Sequence, residues 1–246
     1  MKALILAAGV GRRLGEGAGG DPKSLLKFGG KSLLQRNIEI LQACGISDIS
    51  IVVGHRAEAI EQELARLGLS GKIALLTNPR YREGSIVSLW SAREILRQCE
   101  PIVVMDADVL YDVRAMRKLL SNEIENGFLL DRDVEPGDEP MKLCVREGRI
   151  VDLHKRPSAP HEWYGESVGF TKFTGAAASE LADVLDACVR EGRTNIEYEE
   201  AIRDMIYKTP GLFGFVEITG LPWVEIDFVE DVARARADIL PLLADS

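Results

Sequence analysis

Glycines followed by arginines and a lysine open the chain: Ala7-Ala8-Gly9-Val10-Gly11-Arg12-Arg13, then Asp21-Pro22-Lys23. Gly9 and Gly11 allow a sharp backbone turn that brings amide N–H groups against a phosphate chain. Arg12, Arg13 and Lys23 supply the fixed positive charges that a triphosphate needs. A dinucleotide fingerprint would place a third glycine near position 14, where Leu14 stands, and a Walker loop would need Gly-Lys-Ser/Thr. The pattern therefore fits a nucleoside triphosphate better than either. Two acidic clusters could complete such a site. Ile102-Val103-Val104-Met105 runs into Asp106 and Asp108, and Glu225 and Asp227 stand near the end of the chain. Carboxylates gathered in one place repel one another unless a cation lies between them, and a hard divalent ion such as Mg²⁺ takes one or two of them plus phosphate oxygens. Each acid also has a plainer role open to it, Asp106 or Asp108 as a helix N-cap and Asp227 as a solvated turn residue.

Further candidates lie between these clusters. Asn78, Gly84 and Ser85 follow a third apolar run, and Ser85 at a helix start offers a hydroxyl to a base edge or, equally, a cap to the helix. Trp90 and Tyr198 are aromatic candidates for enclosing a quaternary ammonium, and Glu166, Glu199 and Glu200 acidic candidates for holding a primary one. Lys142 and Lys155 could reach a phosphate, although surface solvation explains either. His55, His154 and His161 show no triad spacing, and nothing suggests a covalent nucleophile.

These residues require a scaffold that gathers strand ends. Strands are expected at Lys2–Ala7, Ile49–Val53, Ile73–Leu76 and Ile102–Met105, alternating with helices over Ser32–Cys44, Ala57–Leu67 and Ile86–Leu96. Such alternation predicts a mainly parallel sheet covered on both faces, a three-layer α/β fold. After residue 110 the pattern changes to a helix Asp112–Ser121, a strand Phe128–Asp131, a charged turn Arg132–Pro140 and a hairpin Met141–Val145 with Arg149–Leu153. A strand Val168–Phe173, helices Ala176–Arg190 and Asn195–Ile206, a strand Phe213–Ile218 and a helix Val229–Leu240 complete the reading. The expectation is one domain over 1–246, with a nucleotide-binding half (1–110) and an acceptor-binding half (111–246) that adds a small antiparallel lobe.

Composition limits the partners. The 246 residues carry 30 Lys+Arg against 39 Asp+Glu, a formal net charge of −9. That balance disfavours nucleic acid and anionic membranes while permitting a local basic pocket. No apolar run has the length to span a bilayer. The four cysteines (Cys44, Cys99, Cys144, Cys188) form no CxxC pair, so they are expected as reduced thiols in the cytoplasm. No interface is legible, and the oligomeric state stays open.

The segment AAGVGRRLG…DPKSLLKFGGKSLLQRNIEIL resembles the opening of nucleotidyltransferases of the nucleoside-diphosphate-sugar pyrophosphorylase type. The likeness continues at intervals to the C-terminus. It implies a Rossmann-like fold and Mg²⁺-dependent transfer of a nucleotide with release of pyrophosphate. Lys23 and Arg13 fall on the phosphate-holding positions, whereas Arg12 is additional. Asp108 and Asp227 fall on the two metal-binding positions, with Asp106 as a neighbour. Ala7, Ala8, Gly9 and Gly11 form the nucleotide loop. Residues 78–89 (NPRYREGSIVSL), Gly165–Phe170 and VEIDFVEDV resemble the bacterial choline-phosphate and aminoethylphosphonate cytidylyltransferase subgroup, although Ser85 stands where an Asn is usual. The resemblance thus points to CTP and a small phosphorylated alcohol or phosphonate such as phosphocholine, 2-aminoethylphosphonate or inositol phosphate. Trp90, Glu166, Tyr198 and Glu200 are the candidate acceptor contacts. The alternatives are a sugar-1-phosphate uridylyl- or thymidylyltransferase and, from another class, a nucleotide sensor without turnover. Loop Gly15–Gly20 is expected to close over the nucleotide.

Overall fold

Strand β1 (Lys2–Ala7) is apolar on both faces, and its alternation decides the architecture. Leu4 points into one core while Ala3 and Ile5 point into another, all at most 1% exposed. Each fully buried Leu or Ile contributes roughly 1.5–3 kcal/mol, so a strand of this kind is stable only with helices on both sides. The computed structural model describes residues 1–11, 13, 20–134 and 137–244. After β1 come a small hairpin of β2 (Lys27–Phe28) and β3 (Lys31–Ser32), helix α1 (Leu33–Ala43), β4 (Asp48–Val53), α2 (Ala57–Arg66) and β5 (Ala74–Thr77). They are followed by α3 (Ser85–Ser91), α4 (Arg93–Leu96), β6 (Ile102–Asp106), β7 (Val109–Tyr111), α5 (Val113–Ser121) and β8 (Gly127–Asp131). The hairpin β9 (Lys142–Arg146) and β10 (Arg149–His154), β11 (Trp163–Phe173), α6 (Gly175–Arg190), α7 (Glu199–Lys208), β12 (Gly214–Glu217), β13 (Trp223–Glu225) and α8 (Val229–Arg234) complete the chain.

Nine strands form one mixed sheet in the order β10-β9-β11-β6-β1-β4-β5, with β8 also paired to β11 and β12 to β8. β1 pairs in parallel with β4 and β6, and β4 with β5, so their C-terminal ends share one edge. β11 joins the two regions. Trp163–Glu166 pairs with β9 and Phe170–Phe173 with β6, both antiparallel. Helices α3, α4, α6 and α7 cover one face of the sheet, and α1, α2 and α5 the other. This is the expected three-layer, Rossmann-like arrangement with an antiparallel lobe. No helix among the described residues is long and apolar enough to cross a membrane.

Local signals explain most boundaries. Ser32 caps α1 by accepting the Gln35 N–H, and Gly45 ends it at φ 82°. Four expectations need correction. The helix expected over Ile86–Leu96 breaks at Ala92 into α3 and α4. The helix expected from Asn195 starts only at Glu199, because Thr194 and Ile196 are used elsewhere. Their carbonyls accept the N–H groups of Gly84 (2.8 Å) and Ile86 (3.3 Å), tying this segment to the start of α3. The last α-helix ends at Arg234 and continues as a wide turn over Ala235–Ile239 and a tight one at Leu240–Leu242, where Pro241 has no N–H to offer. Finally β11 begins five residues before the expected strand. Glu135 and Pro136 of the expected charged turn lie outside the described residues.

The antiparallel pair β7 and β13, three residues each, was not anticipated. A third core packs beneath it, with Leu110, Val224 and Ile226 against Phe28 and Ile239. This small sheet brings the end of the chain back to the end of β6.

Candidate active site

Alternation runs through β13 and the two residues after it: Val224 and Ile226 are buried at 4% and 0% exposure, and Glu225 and Asp227 alternate with them. Glu225 pairs with Val109, and the Ile226 N–H donates to the Asp108 carbonyl at 3.0 Å. Asp231, in the first turn of α8, accepts the N–H groups of Asp227 and Phe228 and fixes the approach to that helix. Asp108, Glu225 and Asp227 therefore converge, with one carboxylate oxygen from each within 4.8 Å of the others. They line a cavity of about 480 Å³ at the C-terminal ends of β1 and β6. Ligands of open α/β sheets bind at such strand ends.

The lysine of the Pro-Lys dipeptide reaches into this cluster. Lys23 Nζ lies 2.5 Å from Asp227 Oδ1 and 3.2 Å from Asp108 Oδ2. Gly11, at φ 64°, leaves room for its stem, since a Cβ there would sit 3.1 Å from Lys23 Cγ. Arg13 Nη1 lies 3.0 Å from both Asp227 and Glu139. The charges hold one another in place. Burial alone would favour a neutral Lys23, but Asp108 and Asp227 outweigh it and raise its pKa. Burial likewise works against ionised Asp227, and Lys23 and Arg13 overcome it to lower its pKa. For Glu225 the relief from Lys23 is outweighed; burial, then Asp108 and Asp227, push it well above the carboxylate range.

A second acidic wall faces the first. Burial and the neighbouring Glu199 and Asp108 raise Asp106 well above its usual value, and the Tyr198 hydroxyl donates to it at 3.0 Å. Burial, reinforced by Glu197 and Glu225, raises Glu199 to about 8. Lys155 Nζ lies 2.8 Å from Glu197 and 3.4 Å from Glu139, which places this cation on the same cavity.

Of the residues singled out from sequence, Ala7, Ala8, Gly9, Gly11, Arg13, Lys23, Ser85, Asp106, Asp108, Tyr198 and Asp227 line this cavity. Arg12 and residues 15–19 of the glycine-rich loop lie outside the described residues. Asn78 is fully buried behind the wall, where it donates to Ser88 Oγ (3.0 Å) and accepts the Arg80 N–H (2.8 Å). Gly84 is a packing glycine: a Cβ would lie 2.0 Å from the Ile196 carbonyl oxygen. Ser85 Oγ accepts the Tyr198 N–H at 2.9 Å. Trp90 is away from the cavity, donating to Asp186 at 2.7 Å beneath the Arg93 guanidinium. Glu200 pairs with His154 (3.3 Å) and Arg203 (3.5 Å), also away from it. Lys142 spends its ammonium on the carbonyls of Gly137 and Lys155.

Glu166 lines a second chamber of about 280 Å³, which shares Glu139, Glu225 and Asp227 with the first. It stands opposite Asp131 in the β8–β11 register, and Asp131 accepts the Trp223 indole N–H at 2.7 Å. Burial, then Asp131, raise Glu166 to about 7. The sequence marks Glu225 only as a member of its acidic cluster, and nothing in it singles out Glu139 or Glu197. The alternation of Val224-Glu225-Ile226-Asp227 was the usable signal for Glu225.

Residues 3–148 match the MobA-like NTP transferase domain. The chain belongs to that family. Among relatives of this NTP transferase, the CTP:phosphoglutamine cytidylyltransferase of Campylobacter jejuni is 25% identical over 94% of this chain and 98% of its own length. The CMP-5'-(3-aminopropyl)phosphonate synthase of Streptomyces rubellomurinus is 30% identical over 96% of this chain, which spans only 38% of that protein. The chain spans about half the length of further relatives, such as the bifunctional IPC transferases and DIPP synthases. In fold, the transferase superposes on the CTP:phosphocholine cytidylyltransferase of Streptococcus pneumoniae with a TM-score of 0.73 at 23% identity, covering 95% of this chain and 96% of the other.

Proposed function

We propose that this NTP transferase moves CMP from CTP to a small phosphorylated or phosphonate acceptor that carries an ammonium group, releasing pyrophosphate. The observation that carries the reading is Lys23 held between Asp108 and Asp227 at the strand ends, in a cavity the size of a nucleotide site. The three-carboxylate set Asp108, Glu225 and Asp227 suits Mg²⁺, a hard cation that prefers oxygen donors. When bound there, Mg²⁺ neutralises phosphate charge and polarises the phosphorus.

The remaining work falls to the protein. An acceptor oxygen attacks the α-phosphorus; the new O–P bond forms as the bond to the β-phosphate oxygen breaks, and pyrophosphate leaves with the electron pair. A phosphate monoester has a second pKa of about 6, so the acceptor is already an anion near neutral pH and needs no general base. The protein must bring two anions together. Lys23, Arg13 and Lys155 offset that repulsion, and the backbone of Ala8–Gly11 turns close enough to cradle the triphosphate. For the ammonium end, the carboxylate chamber of Asp131 and Glu166 adjoins the reacting centre. The relatives named for phosphoglutamine and aminopropylphosphonate support the same acceptor class. A reducing compartment such as the cytoplasm suits the four free cysteines.

The test is pyrophosphate release with Mg²⁺, crossing CTP, UTP, ATP and GTP against five acceptors. These are phosphocholine, 2-aminoethylphosphonate, phosphoglutamine, inositol-1-phosphate and glucose-1-phosphate. Release with CTP and one of the first three is expected. Release only with UTP and glucose-1-phosphate would replace the reading with a sugar nucleotidyltransferase. CTP binding with no turnover on any acceptor would favour a sensor.

A further inference from the structure

Ser24 is 2% exposed, and no group among the described residues hydrogen-bonds its hydroxyl. A buried hydroxyl without a partner is costly and uncommon, because it gives up its bonds to water and gains none. Serine in a tight turn ordinarily bonds its own backbone. Here the turn is already satisfied without it: the Leu25 N–H donates to Pro22 and the Leu26 N–H to Lys23. The other buried orphan hydroxyl among the described residues, that of Tyr111, lines neither chamber and packs edge-on against Phe170 at 4.6 Å. Ser24 instead forms part of the wall of the main cavity, one residue beyond Lys23.

Gly9, on the same cavity, makes a second and independent observation. A Cβ added there would meet no atom of the described residues within 4 Å, and its φ is not in the left-handed region, so nothing among the described residues calls for glycine. The space beside Gly9 suits a ligand that approaches the backbone closely.

We propose that the Ser24 hydroxyl is a contact of the nucleoside triphosphate, left without a partner in the free protein and satisfied when the nucleotide seats against Gly9 and Lys23. The contact requires a turn about the serine χ1 that brings the hydroxyl to the cavity its residue already lines. The inference rests on assigning this cavity to a nucleotide. It adds a neutral hydrogen bond to a site whose other named contacts are backbone amides and fixed charges.

Calorimetric titration of the full chain with CTP and Mg²⁺, without acceptor, tests it. Ser24→Ala should weaken CTP binding by roughly three- to tenfold, the range of one neutral hydrogen bond. The melting temperature of the ligand-free variant should be unchanged or raised, because an unsatisfied group has been removed. Ser32→Ala is the control. Ser32 is equally buried but bonded to Glu63 and the Gln35 N–H, so its loss should lower the melting temperature and leave CTP affinity alone. Titration with tripolyphosphate locates the contact. A loss matching that for CTP places it at the phosphates, and a loss confined to CTP places it at the nucleoside. Unchanged CTP affinity in Ser24→Ala overturns the inference, as does a lowered melting temperature, which would reveal a partner inside the protein. Wild-type protein that binds neither CTP nor UTP brings down the nucleotide reading and this contact together.

Discussion

Two pairs of carboxylates line adjoining chambers and are treated in opposite ways. Asp108 and Asp227 are bridged by Lys23, with Arg13 on the outer side of Asp227. Asp131 and Glu166 face each other across antiparallel strands, and Lys142, the other cross-strand neighbour of Glu166, gives its hydrogen bonds to backbone carbonyls. The first pair meets its compensating charge within the chain, so Asp227 is ionised at working pH. At the second pair burial and Asp131 outweigh the nearby Lys142, and Glu166 is held up to about 7. Like charges opposite one another weaken a sheet. The contrast teaches that strand register sets whether a buried carboxylate is held charged by a neighbouring lysine, as Asp227 is, or pushed towards its neutral form, as Glu166 is.

Removing the first pair should have the largest effect. Asp108→Asn should abolish measurable pyrophosphate release, a loss of roughly 10³-fold or more for a metal-holding carboxylate; near-normal turnover would dissolve the distinction between the pairs. Lys23→Ala should slow turnover by roughly 10²–10³-fold, as for other preorganised charges at a reacting centre, while the circular-dichroism spectrum stays native. Chelation with EDTA should stop release in the wild type, with Mg²⁺ restoring it, and a metal-independent rate would argue against the carboxylate triad.

The second pair should answer to the acceptor alone. Glu166→Gln should raise KM for ammonium-bearing acceptors about tenfold, the scale of one charged hydrogen bond, with KM for CTP nearly constant. Equal rises for both substrates would mean that the two chambers act as one.

The smallest effect is on stability. Glu166 has an ordinary pKa of 4.5 that burial raises to about 7 in the folded chain. The folded state therefore holds this proton more tightly than the unfolded state does. Its contribution is intact below about 4.5, declines as pH rises towards about 7, and stays lost above that. Urea midpoints at pH 5 and pH 8 should differ less in Glu166→Gln than in the wild type.

The elements legible in sequence were those whose signals are local. The caps Ser32 and Gly45, the doubly apolar β1 and the run ending at Asp106 each state their structure within a few residues. The pair β7 and β13 was not legible, because three-residue strands fall below any periodicity. Asn195–Tyr198 reads as helical yet is drawn to the start of α3, where the Ile196 carbonyl accepts the Ile86 N–H and the Tyr198 N–H donates to Ser85 Oγ, partners more than a hundred residues away. Trp90 and Glu200 looked like ligand contacts by type, but Asp186, His154 and Arg203 occupy them.

By itself the sequence determined which residues bear the charge and which strands carry them, since alternation and turn glycines act over neighbouring positions. Only the tertiary structure decided the pairing of charges. Lys23 and Asp227 lie 204 positions apart and meet because β13 returns to β7 and packs on the core of Phe28, Leu110 and Ile226. Whether a carboxylate ends beside a lysine, as Asp227 does, or beside another carboxylate, as Glu166 does, depends on strand register and helix docking, which no local pattern encodes.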